Sequence, residues 1–194
     1  MIADATANAE FVASDLLSQA EHGPDSQALL VCTEETIAEQ VDNAIARQLQ
    51  HLRRYQIICE SLKSARTIIV RNTSEALEIS NRYAPEHLIL QISDARRLVP
   101  EIRNAGAVFL GPWSPESVGD YCSGTNHVLP TCGAAKAFSG LGLEQFMRHM
   151  TVQELTRTGL SRLAPTVMEL STLEGLDAHG NAIRRRIDSP PVIP

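Results

Sequence analysis

Short apolar runs alternate with helix-patterned segments up to residue 110, and this alternation constrains the fold more than any other feature of the sequence. Each run has about the length of a buried strand. The predicted strands are 28–32, 67–70, 87–92 and 107–110. Three predicted helices span 10–21, 74–83 and 94–104. A fourth follows the first strand, with Thr33 as its cap and an apolar spine from Ile37 to Leu52. Strands that alternate with helices in this way predict an α/β fold with a parallel sheet.

The domain organisation follows from where this pattern stops. We predict a partial Rossmann-like parallel sheet with flanking helices over residues 1–138, followed by a small helical tail domain over 139–188 and a loose, proline-rich tail over 189–194. Residues 1–4 look like the end of a strand whose earlier residues are missing, so the Rossmann-like domain is expected to be incomplete. Residues 111–133 are rich in glycine and proline with little periodicity, which is typical of a long functional loop.

Composition and charge exclude some classes of partner. The 17 basic and 23 acidic residues give a net charge of -6, which argues against nucleic acid as a partner. No apolar run approaches the roughly 18 residues of a membrane helix, and no signal peptide is recognisable, so we expect a cytoplasmic protein without a membrane partner. Four widely separated cysteines indicate reduced thiols rather than a disulfide framework.

Two pairs of polar residues stand at the edges of predicted elements. Gln19 and His22 close the first helix, where His22 suits a metal ligand with Gln19 as a weak amide ligand. From these residues alone, the position of His22 is better explained by the negative carboxyl-terminal end of the helix dipole than by a metal. Glu86 and His87 begin a predicted strand directly after Pro85, and they are the usual general base and acid near neutral pH. A surface acid beside a partly buried histidine is the alternative, and a shared substrate requires irregular backbone here.

Polar residues also concentrate in the loop 115–127 and near residue 175. Asp120 suits a hard anionic metal ligand, and His127 suits a polar substrate, whereas a solvated turn is the weaker reading. Glu174 and His179 lie near the end of the helical tail, where a lone histidine is usually a surface residue. The string Gly140-Leu141-Gly142 lacks both a preceding strand and the third glycine of a dinucleotide fingerprint, so no cofactor-binding residue is predicted in this chain.

Several long strings carry a resemblance to a known family. Residues 11–26, 85–88, 119–131, 150–155 and 178–179 closely resemble the carboxyl-terminal half of histidinol dehydrogenase, and the resemblance covers nearly the whole chain. That family oxidises L-histidinol through histidinal to L-histidine in histidine biosynthesis, by two hydride transfers to NAD with a bound Zn²⁺ that holds the substrate. The resemblance implies that the NAD site lies mostly on a missing amino-terminal half, which activity would require.

The resemblance also implies residue roles. Gln19, His22 and Asp120 match zinc ligands, and His179 matches the ligand that the other subunit of a homodimer lends to the site. The resemblance also implies that these four ligands contact the substrate. The ligand types are all present, which weighs modestly against an inactive zinc-binding or interaction module derived from a truncated gene.

Acid/base chemistry is implied for Glu86 and His87. His87 would take the hydroxyl proton of the substrate, and Glu86 would activate the water that hydrates the aldehyde. His87, His127 and Glu174 complete the implied substrate contacts.

Overall fold

The computed structural model describes residues 1–190 and contains one five-stranded parallel sheet. The strand order is β3-β2-β1-β4-β5, with every neighbouring pair parallel. The strands are β1 (Ile2–Ala3), β2 (Leu29–Cys32), β3 (Arg66–Ile69), β4 (His87–Gln91) and β5 (Ala107–Leu110). The predicted α/β class with a parallel sheet is therefore confirmed.

Helices connect the strands and continue beyond them. They are α1 (Ala9–Ala20), α2 (Glu35–Leu49), α3 (Tyr55–Leu62), α4 (Thr73–Tyr83), α5 (Ala95–Leu98), α6 (Glu116–Tyr121), α7 (Arg157–Leu173) and α8 (Asp177–Asp188). The helix predicted over 94–104 is wrong in length, because α5 passes into a short 3-10 helix at Val99–Glu101 that contains Pro100. The predicted loop 111–133 contains α6.

Local capping explains where α1 and α4 begin. The side chains of Asn8 and Asn72 accept hydrogen bonds from backbone N–H groups in the first turns of α1 and α4, as N-cap residues do. The predicted cap Thr33 is wrong: Glu34 is the N-cap of α2 and makes no side-chain capping bond. At the other end of α4, Ala84 adopts a left-handed conformation with φ 58°, which directs the chain into β4.

Both faces of the sheet are buried. On one face Ala3, Leu30 and Cys32 pack against α1 and α2, and on the other Ile2 and Val31 pack against α4 and α5. Adjacent strand residues therefore contribute to opposite clusters, as the two-residue period of a strand requires. Burial on both faces explains why the strands read as continuous apolar runs.

The chain forms two compact units, Met1–Phe146 and the residues from Met147 onward. The boundary predicted after residue 138 falls inside the first unit. The second unit consists mainly of α7 and α8, which approach closely at Gly180, where an added Cβ would lie 2.7 Å from Ser171 Oγ. Of the predicted tail 189–194, residues 191–194 lie outside the described residues. Within residues 1–190, no helix is long and apolar enough to cross a membrane.

Candidate functional site

A cavity of about 820 Å³ lies in the first unit, at the amino-terminal ends of β2 and β4. Leu29 and His87, the first residues of these strands, are among its walls. Ligands of open α/β sheets usually bind at the carboxyl ends of the strands, so this position is unusual. The polar side chains around the cavity include Gln19, His22, Glu86, His87, Glu116 and His127.

Glu86 and His87 reach the cavity together because only His87 belongs to β4. Glu86 precedes the strand, so the strict alternation of side chains does not separate the two. Gly106 holds the backbone just before β4 in place. Its N–H donates to Pro85 O at 3.0 Å, and Ala107 N–H donates to Glu86 O at 2.8 Å. A Cβ on Gly106 would lie 2.6 Å from Glu86 O, so only glycine permits this approach.

His87 is largely buried and lies beside an aromatic ring. Its ring centroid lies 6.0 Å from that of Phe109, and its side chain is 12% exposed. Neither ring nitrogen has a hydrogen-bond partner. Burial lowers the pKa of His87 below its ordinary 6.5, against the opposing charges of Glu86 and Asp120. The imidazole is therefore neutral near pH 7, which is the form that accepts a proton.

His22, Glu116 and Asp120 form a cluster in which one possible ligand atom from each lies within 4.8 Å of the others. Glu116 and Asp120 are four residues apart in α6, so they share one helix face. His22 comes from the turn after α1. Imidazole and carboxylate donors suit Zn²⁺, and Glu116 Oε1 is buried without a partner, which a cation would satisfy. These residues therefore fit a bound zinc ion.

The charges in this cluster are coupled by burial and hydrogen bonding. Burial, and then the neighbouring Asp120, raises the pKa of Glu116 to about 7. Burial also opposes ionisation of Asp120, but the interactions with His127, Glu116 and His87 together outweigh it and lower the pKa of Asp120 below 3.8. His127 Nδ1 lies 2.8 Å from Asp120 Oδ1, and this bond raises the pKa of His127. Asp120 is thus the ionised member of the carboxylate pair.

The predicted site residues of the first unit come together around this cavity. Gln19, His22, Glu86, His87 and His127 line it, and Asp120 joins it through the cluster with His22.

Glu174 and His179 belong to the second unit. Glu174 is the C-cap of α7, where its N–H donates to Leu170 O, and His179 lies in the first turn of α8. Both side chains are exposed.

Glu116 is a site residue that was not predicted from the sequence. Its signal is the four-residue spacing to Asp120, which has meaning only if the segment is helical. Because α6 has six residues, it shows no apolar periodicity. The burial of Glu116 depends on packing that no local pattern reveals.

Comparison with known proteins gives consistent matches along the chain. A family model described as histidinol dehydrogenase matches residues 1–187. Histidinol dehydrogenase of Vibrio cholerae is 55% identical over 188 residues, covering 97% of this chain and 44% of the relative. That of Escherichia coli O157:H7 is 52% identical over 189 residues, with the same coverage.

A solved structure gives the same result. The crystal structure of histidinol dehydrogenase from Elizabethkingia anophelis matches with a TM-score of 0.92 and 45% identity, over 96% of this chain and 43% of that one. The chain therefore spans less than half the length of these relatives.

Proposed function

Since this chain belongs to the histidinol dehydrogenase family, we propose that it supplies the metal-binding and acid/base part of an enzyme that oxidises L-histidinol through histidinal to L-histidine. One observation carries the proposal. Glu86 and His87 line the same cavity as His22, a member of the carboxylate–histidine cluster with Glu116 and Asp120. An inactive module derived from a truncated gene is not favoured, because such a module has no need to keep this arrangement.

We assign a zinc site to Gln19, His22 and Asp120, with His179 contributed by the second subunit of a homodimer. Gln19 lies in the last turn of α1 and His22 in the turn that follows, and both line the cavity. When bound, zinc would polarise the substrate oxygen as a Lewis acid. Glu174 and His127 are proposed to contact the substrate.

We assign the proton transfers to Glu86 and His87. His87 accepts the hydroxyl proton as the alcohol is oxidised, and its lowered pKa keeps it in the accepting form. Glu86 accepts a proton from the water that adds to the aldehyde, which produces the hydrate that is oxidised next. NAD is the hydride acceptor in this proposal, and we place its site mostly in the part of the relatives that this chain does not span. The enzyme is proposed to work in the cytoplasm.

Reconstitution tests the reaction. We would combine this chain with the amino-terminal half of a relative and follow histidinol-dependent formation of NADH. We expect His87→Asn to lower the rate by roughly 10²–10⁴-fold, as loss of a general base does. His51→Asn is the matched control, because His51 is exposed in the turn after α2. Turnover that survives His87→Asn would remove His87 from the mechanism.

Zinc content tests the metal assignment separately. We expect stoichiometric zinc in the reconstituted dimer and a large loss of zinc in His22→Ala and in His179→Ala, because each variant removes one ligand. His149→Ala serves as the control, since His149 is exposed and outside the proposed ligand set. Unchanged zinc content in both ligand variants would overturn the assignment.

A further inference from the structure

Glu116 and His87 share an unusual property. Among the residues that the structure describes, four buried side-chain polar atoms have no hydrogen-bond partner: Ser80 Oγ, Glu116 Oε1 and both ring nitrogens of His87. Three of these belong to the Glu116–His87 pair. Buried polar atoms are nearly always satisfied in native proteins, so each exception requires an explanation.

The two unsatisfied groups face each other. Glu116 Oε1 lies 3.8 Å from His87 Nε2, and Glu116 is 4% exposed. This separation is too long for a direct hydrogen bond, which needs about 2.7–3.2 Å, but a shift of about 1 Å would form one. The other oxygen of Glu116 accepts from Ser18 Oγ at 3.5 Å. The carboxylate on α6 therefore lies between α1 and the first residue of β4.

We propose that Glu116 is a positioning residue, which accepts a hydrogen bond from His87 Nε2–H and thereby holds the imidazole with Nδ1 free to accept a proton. The proposal rests on the proposed function, since it assigns a partner to the residue that acts as the base there. An imidazole base is commonly oriented by a third group that accepts from its second nitrogen. Among the carboxylates of the residues that the structure describes, Glu116 is the one with an oxygen within 4 Å of His87 Nε2.

The competing assignment makes Glu116 a metal ligand. It belongs to the cluster with His22 and Asp120, so a cation bound there would also satisfy Oε1. The two assignments differ in what happens without metal. A positioning residue orders His87 in the metal-free protein, whereas a ligand matters only when the ion is bound.

The test is an NMR experiment on the complete 194-residue chain, stripped of metal by a chelator. Histidine labelled with ¹⁵N identifies the ring nitrogen that carries the proton, and a hydrogen-bonded imidazole N–H gives a slowly exchanging low-field signal. We expect this signal from His87 Nε2–H at about pH 8.5, where imidazole is neutral. Exchange of this proton should be at least tenfold faster in Glu116→Ala. The control is Glu78→Ala, which removes an exposed carboxylate paired with Arg82.

A second variant keeps the experiment decisive if Glu116→Ala fails to fold. Glu116→Gln retains the shape and a neutral acceptor, so the His87 signal should move to higher field and exchange faster. An unchanged signal in Glu116→Gln would overturn the proposal, as would a proton on Nδ1 in the parent chain. Loss of zinc binding equal to that of His22→Ala, with an unchanged His87 signal, would make Glu116 a ligand instead. Because the His87 proton signal is recorded without metal or substrate, failure of the proposed function would not alter it.

Discussion

Gly119 lies in α6 between Glu116 and Asp120, and its replacement by alanine should disturb the site through packing alone. An ideal Cβ at this position would lie 2.6 Å from Cε1 and 2.9 Å from Cζ of Phe109. It would also lie 3.0 Å from Thr125 Oγ1, which donates to Gly119 O. The ring of Phe109 in turn packs on His87. One methyl group therefore presses on both the metal-binding and the acid/base parts of the site.

The magnitude follows from the overlap. Ordinary van der Waals contact begins at about 3.4 Å, so α6 or the Phe109 ring must move by roughly 1 Å. Overpacking costs about 1–3 kcal/mol in general, and two ring atoms closer than 3.0 Å place this case at about 2–3 kcal/mol. The better helix propensity of alanine offsets about 1 kcal/mol of this cost. We expect a net loss of about 1–2 kcal/mol in the free energy of unfolding. At roughly 2–4 °C per kcal/mol, the melting temperature should fall by about 2–8 °C.

Thermal unfolding and zinc titration measure the two consequences. Because Asp120 is the next residue, we expect zinc affinity to fall roughly 10-fold or more in Gly119→Ala. Phe109→Leu removes the clashing ring atoms, so the double variant should be more stable than the sum of the single effects by about 1 kcal/mol or more. Gly159→Ala in α7 is the control, since its Cβ would come no closer than 3.3 Å to another atom. Additive effects, or parental stability and zinc affinity in Gly119→Ala, would refute the reasoning.

Two further predictions concern stability alone. Burial raises the pKa of Asp15 from 3.8 to about 6, although a hydrogen bond with Gln91 opposes the shift. The free energy of unfolding is therefore highest below pH 3.8 and falls as the pH rises to about 6. Asp15→Asn should therefore gain about 1–2 kcal/mol over the parent between pH 4 and pH 7.5 in urea unfolding. This is less than the full 1.36 kcal/mol per pKa unit, because solvent screens the partly exposed carboxylate. A pH-independent difference would contradict this. Asn81 Oδ1 accepts from the N–H groups of Arg103 and Asn104 at 2.8 and 3.3 Å, so Asn81→Ala should cost about 2–3 kcal/mol. Asn81 Nδ2 also donates to Glu101 O at 3.1 Å, so Asn81→Asp loses this bond while it keeps the acceptor. Parental stability in Asn81→Ala would show that these bonds contribute nothing.

The sheet was predictable because its strands are buried on both faces. Runs such as 87–92 and 107–110 are continuous and apolar, and the observed β4 and β5 agree with them to within one residue. The helices were less predictable where they are short. α6 is too short to show a period, and the segment after Asp94 loses its helix at Pro100, which removes a backbone donor.

The site was predictable where its residues flank strands. Glu86 and His87 immediately follow Pro85, and that position at the start of β4 placed them at the cavity. Glu116 is different, because its role depends on contacts with residues far apart in sequence. Its neighbours Ser18 and His87 come from α1 and β4, and no local pattern indicates that these elements meet around it.

Within residues 1–190, the two-residue strand β1 lies at the centre of the sheet and alone joins β2 to β4. Without it, the sheet becomes two separate pairs, β3–β2 and β4–β5, and an isolated strand pair is marginally stable in water. The cooperativity of unfolding in the first unit therefore depends on Ile2 and Ala3, which are 1% and 0% exposed. The acid/base residues belong to the β4 pair, and His22 leads into the β2 pair. Any opening between β2 and β4 at β1 therefore separates His22 from Asp120 and from the acid/base residues.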